Sequence, residues 1–285
     1  MLFIIGLLVV IGSVLGGYMP HGDIAVLWQP LEVLIICGSA LGAFIISNPK
    51  GVLIGAGKHM GRLMKGSPHS KTAYLELLTV LYSVFKLAKS KGALALEAHV
   101  EDPENSSIFS NHPSFMKNHE AVEFLCDTLR LVTMGTENPH ELENMMDEDI
   151  ETRKHETEHI AHAVTAVGDG LPAFGIVAAV LGVIVTMGSI AEPPEVLGAL
   201  IGAALVGTFL GILLAYGLVG PMGKNLENFC ESEFRYYECI KAGVIAHVQG
   251  YAPALSVEFA RKTLYVHDRP TFAEVEESVS SVLPA

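Results

Sequence analysis

The stretch HETEH at residues 155–159 matches His-Glu-x-x-His, the signature of zinc proteases. On a helix, His155 and His159 share one face and could hold zinc, with Glu156 as general base. The surrounding run, DEDIETRKHETEHIAH, is highly charged, whereas a catalytic helix would bury apolar residues between its ligands. His162 follows only three residues later on the same helix, so a convincing third ligand is missing. We therefore expect a solvated helix with no metal site and no enzymatic activity, and a zinc metalloprotease is kept as an alternative.

The apolar residues are gathered into four runs that could form membrane-spanning helices. Only 17% of the 285 residues are Asp, Glu, Lys or Arg, against about 25% in a soluble domain. A helix needs roughly 17–25 apolar residues to cross a bilayer. The runs occupy residues 2–17, 31–47, 171–190 and 196–220, and the first two are at the short end of that range. The first run lacks the basic region and the cleavage site of a signal peptide, so we interpret it as a span.

The basic residues predict the orientation of these spans. None of the 18 Lys and Arg residues lies in 1–49 or 171–220, and all of them lie in 50–170 and 221–285. By the positive-inside rule the latter two segments, and both termini, are cytoplasmic. The chain is thus predicted to be a multi-pass membrane protein whose two large polar segments lie in the cytoplasm. Its formal net charge of −13 argues against a nucleic-acid partner, which would require a basic surface.

The predicted fold is an all-α integral membrane protein with two transmembrane hairpins. Helical periodicity extends through the polar segments, with a break at Gly92, a cap at Asn118 and a stop at Gly135. A long charged helix is expected to run into the third span, and another to emerge from the fourth. The predicted segments are transmembrane helices 1 and 2 at residues 1–49, a cytoplasmic helical domain at 50–170, transmembrane helices 3 and 4 at 171–220, and a cytoplasmic helical tail at 221–285.

Ionisable residues are nearly absent from the predicted spans. Glu32 is the exception, but it lies at the exported end of the second span, where we expect a hydrated interfacial carboxylate. Since transport proteins usually carry ionisable groups within their spans, a partner must supply the acid if this chain conducts ions. Thr208 is the deepest polar residue of the fourth span and is expected to bond to its own helix.

Small residues and prolines mark the third and fourth spans. Glycines recur in the fourth span at small-x-x-x-small spacing, a pattern that lets helices pack closely in lipid; they are Gly198, Gly202, Gly207 and Gly211. Pro172 begins the third span and Pro221 ends the fourth. Both are expected either to punctuate the helices or to act as hinges between the membrane and the cytoplasmic domain.

Several stretches together resemble the MotA family of flagellar stator A subunits, within the wider MotA/TolQ/ExbB group of ion-driven rings. They cover nearly the whole chain in the family's order, and they are LVVIGSVLGGYMPHGD, QPLEVLIICGSALGAFI, GDGLPAFGIVAAVLGVI, GALIGAALVGTFLGILLAYG, GYAPALSVEFARKTLY and RPTFAEVEE. The segments LPAFGIVAAV and VEFARKTLY within them are quite specific. The resemblance implies a pentameric ring of this chain in the lipid membrane around two copies of the MotB stator B subunit. MotB would supply an essential Asp and a peptidoglycan anchor. The implied activity is a proton channel and rotary unit that converts proton-motive force into torque on the flagellar rotor.

The resemblance also implies roles for particular residues. Pro172 and Pro221 match the family's functional prolines, and Thr208 matches a threonine near the partner's Asp. Ala179 stands where sodium-type members tend to carry Thr. Because a methyl group cannot ligate sodium, protons are the expected coupling ion, with no other cofactor.

Contact with the rotor switch protein FliG is implied to be electrostatic, through one acidic and one basic residue. The acidic position is Glu97. The basic position is Lys89, where relatives often have Arg, and Lys91 is a second candidate. An energising ring of the ExbB/TolQ type, which usually has three spans, is the alternative within the same group.

Overall fold

Every regular element in the described part of the chain is helical. The computed structural model describes residues 2–63, 69–135 and 138–280. Its helices are α1 (Leu2–Tyr18), α2 (Ile24–Leu27), α3 (Pro30–Ser47), α4 (Lys50–Leu63), α5 (Lys71–Lys91), α6 (Glu97–Glu101), α7 (Pro113–Met116), α8 (His119–Thr133), α9 (Pro139–Gly188), α10 (Pro194–Leu214), α11 (Gly220–Val248), α12 (Pro253–Lys262) and α13 (Phe272–Ser280). A 3₁₀ turn at Ala93–Leu96 precedes α6, and a π-helical turn at Ala215–Val219 joins α10 to α11. The all-helical prediction is confirmed.

The helix limits follow the local signals in the sequence. Gly92 ends α5 with φ at +87°, a conformation that favours glycine. The Asn118 side chain accepts a hydrogen bond from the Ala121 amide and so caps α8. Gly135, at φ +93°, stands just beyond the end of α8. These three predicted boundaries are confirmed.

Two compact units make up the chain. The first contains residues 2–63 and 156–229, and the second contains residues 69–155 and 230–280. The long helices α9 and α11 contribute residues to both. The units are defined by contacts, whereas the segments predicted from the sequence are defined by the membrane. Those membrane and cytoplasmic segments stay predictions.

The first unit holds the apolar helices. Three helical segments among the described residues are long and apolar enough to cross a membrane, namely Ile24–Ser47, Pro139–Gly188 and Pro194–Val248. Helix α1 is apolar but shorter, at 17 residues. A small buried cluster joins α3 and α9 to the segment after α10, and its members are Ile36, Ala40, Leu171, Ala178 and Ala215. The fourth span stays a prediction.

The second unit has a hydrophobic core around α5. Leu77, Leu78, Leu81 and Phe85 are fully buried. The positions of these residues repeat at the spacing of one helix face. Helix α12 packs on α5, and α13 is tied to it by an ion pair between Lys71 Nζ and Glu274 Oε1 at 2.7 Å. The core therefore forms from segments far apart in the sequence.

An aromatic stack closes one part of this core. The ring of His69 lies on Tyr236 with centroids 4.2 Å apart, and Tyr74 packs beside both. Burial lowers the pKa of His69 to about 4, because an apolar site disfavours the charged imidazolium. His69 therefore remains neutral near pH 7 and behaves as a core aromatic residue.

A buried arginine fixes the chain after α12. The Arg261 guanidinium donates to both carboxylate oxygens of Glu258 at 2.7 Å, and to the Pro270 carbonyl at 2.9 Å. These hydrogen bonds satisfy a charge that is only 7% exposed. Arg261 belongs to the VEFARKTLY stretch. Its hydrogen bonds show that this residue of the stretch has a structural role in the second unit.

Candidate functional site

Helices α9 and α10 approach each other at backbone distance through small residues. A Cβ built on Gly211 would lie 2.8 Å from both Gly175 Cα and the Leu171 carbonyl oxygen. A Cβ on Gly182 would lie 2.7 Å from that of Ala204. Such contacts leave no room for larger side chains, which is how helices associate where lipid removes the hydrophobic driving force.

The predicted role of the α10 glycines is confirmed for Gly207 and Gly211. Gly202 instead faces a side chain of α2, Val26, at 3.6 Å from its would-be Cβ, and no described atom lies within 4 Å at Gly198. Gly175 and Gly182 of α9 provide the other side of the interface, but they lie seven residues apart and form no small-x-x-x-small pair with each other in the sequence.

One layer of this interface brings Ala179 and Glu32 to the backbone of Gly207. The position of a Cβ on Gly207 lies 3.1 Å from Ala178 Cβ, 3.2 Å from Glu32 Oε2 and 3.3 Å from the Ala179 amide nitrogen. Thr208, the next residue, is half-buried. Two of the predicted ion-path residues thus lie at the same level of the helix pair, and a carboxyl group lies with them.

The expectation that Glu32 is a hydrated interfacial carboxylate is wrong for one of its oxygens. Oε2 is buried and makes no hydrogen bond within the described part of the chain. The cause is Gly207, which lacks a side chain and so leaves space for the carboxyl group against α10. The sequence placed Glu32 correctly in the first turn of its helix, but it could not indicate which neighbouring surface the side chain reaches.

Pro172 lies in the interior of α9, and α9 is a 50-residue helix. The punctuating role considered from the sequence is therefore wrong for this residue, because no helix begins there. A proline nitrogen has no hydrogen to donate, so the carbonyl of Gly168, four residues earlier, lacks its usual intrahelical partner. Pro172 is a local weak point in a continuous helix.

Pro221 lies one residue beyond the π-helical turn at Ala215–Val219, after Gly220. The amide of Gly220 donates to the Ala215 carbonyl, five residues earlier, in place of the four-residue spacing of an α-helix. The wider turn accommodates the proline ring, which would otherwise meet the carbonyl of Gly217. The helix continues as α11 beyond Pro221, whose side chain is exposed.

The two prolines flank one close contact between α9 and the start of α11. A Cβ on Gly168, one turn before Pro172, would lie 3.2 Å from the amide nitrogen of Gly220, which immediately precedes Pro221. The weak points of both helices therefore lie at the same level. A bend in one helix would therefore displace the other helix at this contact.

The HETEH residues lie in α9 with exposed side chains. His155, Glu156, His159 and His162 are all exposed, and His162 does not turn toward a cleft. Across residues 2–63, 69–135 and 138–280, no group of three or more His, Cys, Asp or Glu side chains is arranged to hold a metal ion. The surroundings give these histidines no buried site in which zinc chemistry could occur.

Lys89, Lys91 and Glu97 surround the junction between α5 and α6. The two lysines lie in the last turn of α5, Glu97 begins α6, and all three are exposed. Within the described residues none of their side chains makes a hydrogen bond or an ion pair. We call Lys89, Lys91 and Glu97 the charged junction.

The two lysines of the charged junction have different neighbours. The pKa of His247, on α11, is lowered by burial and then by the charge of Lys89. The pKa of His99, on α6, is lowered by burial and then by Lys91. Lys91 therefore acts electrostatically on the helix that Glu97 begins, whereas Lys89 acts on the end of α11.

Comparisons with known proteins agree with this architecture. A model of the Motility protein A N-terminal family matches residues 4–92, and a model of the MotA/TolQ/ExbB proton channel family matches residues 116–239. Motility protein A of Escherichia coli K12 is 43% identical over 283 residues, which are 99% of this chain and 96% of that protein. The chain belongs to the motility protein A family. The family resemblance noted in the sequence is thereby confirmed.

Two solved structures share the fold of this motility protein A family member. The flagellar MotAB stator complex from Bacillus subtilis superposes with a TM-score of 0.72 at 25% identity, covering 93% of this chain and 94% of that chain. C. jejuni MotAB superposes with a TM-score of 0.76 at 22% identity, covering 93% and 95%. The helical arrangement described above is therefore shared with a chain of each of these MotAB structures.

Proposed function

We propose that this chain is a flagellar stator subunit that forms, with a MotB partner, a proton channel and rotary unit driving the flagellar rotor. The observation that carries this proposal is the full-length match to motility protein A. The site adds a physical reason for the partner, since residues 171–190 and 196–214 contain no Asp, Glu, His, Lys or Arg. MotB would supply the proton-carrying Asp and the peptidoglycan anchor. The role is transport and mechanical work, without enzymatic catalysis.

The proposed topology places the chain in the bacterial inner membrane with four spans and both termini in the cytoplasm. All Lys and Arg residues lie outside residues 1–49 and 171–220, which supports cytoplasmic locations for residues 50–170 and 221–285. The short connectors at residues 18–30 and 191–195 would then be exported. Three of the four spans have the length and hydropathy that this topology needs.

Self-association into a pentameric ring is supported by the apolar surface of α9. Large apolar side chains on its second half are exposed in the isolated chain, among them Ile176, Val180, Ile184 and Met187. Surface of this kind is covered by lipid or by other membrane helices. In the proposed ring, neighbouring copies, the MotB helices and lipid share this covering.

We propose protons as the coupling ion, with no other cofactor. Apart from the carboxyl group of Glu32, the side chains at this layer of the α9–α10 interface offer no oxygen, because Ala179 has only a methyl group and Gly207 has no side chain. The several ligand oxygens that sodium prefers are therefore scarce. Cells without stators that express this chain with its MotB should therefore rotate when tethered, independently of sodium. A protonophore should stop them. A sodium requirement would refute the proton assignment, and absence of rotation from an assembled complex would favour the ExbB/TolQ-type alternative.

The match to the Motility protein A N-terminal family weighs against that alternative. It covers residues 4–92, which include Lys89 and Lys91 of the charged junction and the first two apolar helices. The second family match is shared by stators and energising rings alike. The match of the N-terminal part therefore favours the flagellar stator function over the energising ring.

The charged junction is the proposed contact with FliG. Exposed charges without partners in their own chain are available to an oppositely charged surface, and such contacts mainly set association rate and register. Glu97→Lys and Lys89→Glu should each lower rotation several-fold, because a like charge would then face the rotor. Rotation of tethered cells checks this expectation.

Matched controls separate this contact from a general charge effect. Glu104→Lys and Lys117→Glu make the same changes at exposed positions of the second unit and should leave rotation unchanged. All four variants should keep the wild-type circular dichroism spectrum, because exposed charges contribute little to stability. Equal losses in control and junction variants would contradict the proposed rotor contact.

A further inference from the structure

Glu32 is a carboxyl group inside the first unit for which the proposed mechanism has no use. It lies in the first turn of α3, yet its Oε2 reaches the backbone of α10 at Gly207. Ala178 and Ala179 of α9 border the same position within 3.3 Å. The carboxyl group therefore lies where three helices meet.

The surroundings of this oxygen do not stabilise a negative charge. Oε2 is closed off from solvent and accepts no hydrogen bond in the described part of the chain. No Lys or Arg occurs in residues 1–49 or 171–220. An ionised carboxylate taken out of water without a partner costs several kcal/mol. A proton or a positive ligand at Oε2 would remove this cost.

The acidic, basic and histidine side chains near this end of the helices are few and exposed, and Tyr18 beside them is half-buried. Residues 171–190 of α9 and 196–214 of α10 contain none of Asp, Glu, His, Lys or Arg. The connectors carry His21, Asp23, Glu192 and Glu195, and the side chains of all four are exposed. The Asp23 carboxylate is engaged in capping α2, where it accepts from the Ala25 amide. None of these groups neutralises Glu32 within the described structure.

We propose that Glu32 is a proton-binding carboxyl of the ion path, which takes up and releases a proton at the layer formed by Gly207 and Ala179. A proton suits this layer better than a metal cation. A cation needs several oxygen ligands, and the side chains beside Glu32 are the methyl group of Ala179 and none at Gly207. The inference rests on the proposed proton-driven function. The ion path would then contain two acids, the Asp of MotB and Glu32 of this chain.

The first test is chemical and does not depend on rotation. The purified complex of this chain with MotB is treated with an apolar carbodiimide, which reacts with protonated carboxyl groups in apolar surroundings, and modified peptides are identified by mass spectrometry. Glu32 should be modified, and the modification should fall as pH rises. Glu195, which stands in the first turn of α10 with an exposed side chain, is the matched control and should remain unmodified.

The second test uses the isosteric variants Glu32→Gln and Glu195→Gln in rotating cells. Glu32→Gln keeps the size and polarity of the side chain but cannot exchange a proton, so rotation should slow several-fold while the complex purifies intact. Glu195→Gln should rotate like the wild type. An unmodified Glu32 in an intact complex, or wild-type rotation of Glu32→Gln, would each overturn the inference and leave the stator function standing. Failure of the wild type to rotate would instead refute the function, and the labelling result would be unaffected.

Discussion

Gly211→Ala is expected to disrupt the α9–α10 pair and to abolish rotation. The added Cβ would stand 2.8 Å from Gly175 Cα and from the Leu171 carbonyl oxygen. Both atoms belong to backbone, so neither can move aside without shifting α9. Overpacking of this kind typically costs about 1–3 kcal/mol, whereas replacing a helical glycine by alanine returns at most about 1 kcal/mol of helix propensity. The steric cost outweighs the gain.

Gly198→Ala is the matched control for this prediction. It makes the same change in the same helix, but no described atom lies within 4 Å of its new Cβ. The helix should therefore gain slightly in stability. Size-exclusion chromatography of the chain copurified with MotB, followed by thermal unfolding, measures both variants. If Gly211→Ala assembles and unfolds like Gly198→Ala, the close approach at Gly211 is not required for the fold.

The helices themselves could be predicted because their determinants are local. Gly92 and Asn118 each act through neighbouring residues, and the boundaries they indicate are those observed. The α10 half of the helix interface could be predicted as well, since small residues four apart are visible in one segment. Its α9 half was missed because Gly175 and Gly182 are seven residues apart and matter only once α10 lies against them.

The two findings at Glu32 and Pro221 could not have come from the sequence. The environment of Glu32 depends on a glycine 175 positions away in the chain, and no local pattern links the two residues. The π-helical turn before Pro221 is one of several ways a helix can accommodate a proline. Choosing among them depends on the tertiary contact of Gly220 with Gly168, which is visible only in three dimensions.

Pro221→Ala is expected to stabilise the helix and yet to remove most of the rotation. A proline inside a helix costs about 3 kcal/mol relative to alanine. With alanine present, the π-helical turn at Ala215–Val219 can close into an α-helix and the hinge is lost. Pro172→Ala should act in the same way by giving the Gly168 carbonyl its missing donor. The assembled complex should form normally, and its rotation on tethered cells should fall several-fold.

Hydrogen exchange distinguishes a lost hinge from a damaged fold. Amides of residues 215–220 should exchange more slowly in Pro221→Ala than in the wild type, because the closed turn adds intrahelical hydrogen bonds. Pro194→Ala is the control, since a proline at the first position of α10 interrupts no intrahelical bond. It should change neither exchange nor rotation. Slower exchange with unimpaired rotation in both Pro172→Ala and Pro221→Ala would show that torque does not pass through a bend at these prolines, and the contact of Gly168 with Gly220 would then be packing alone.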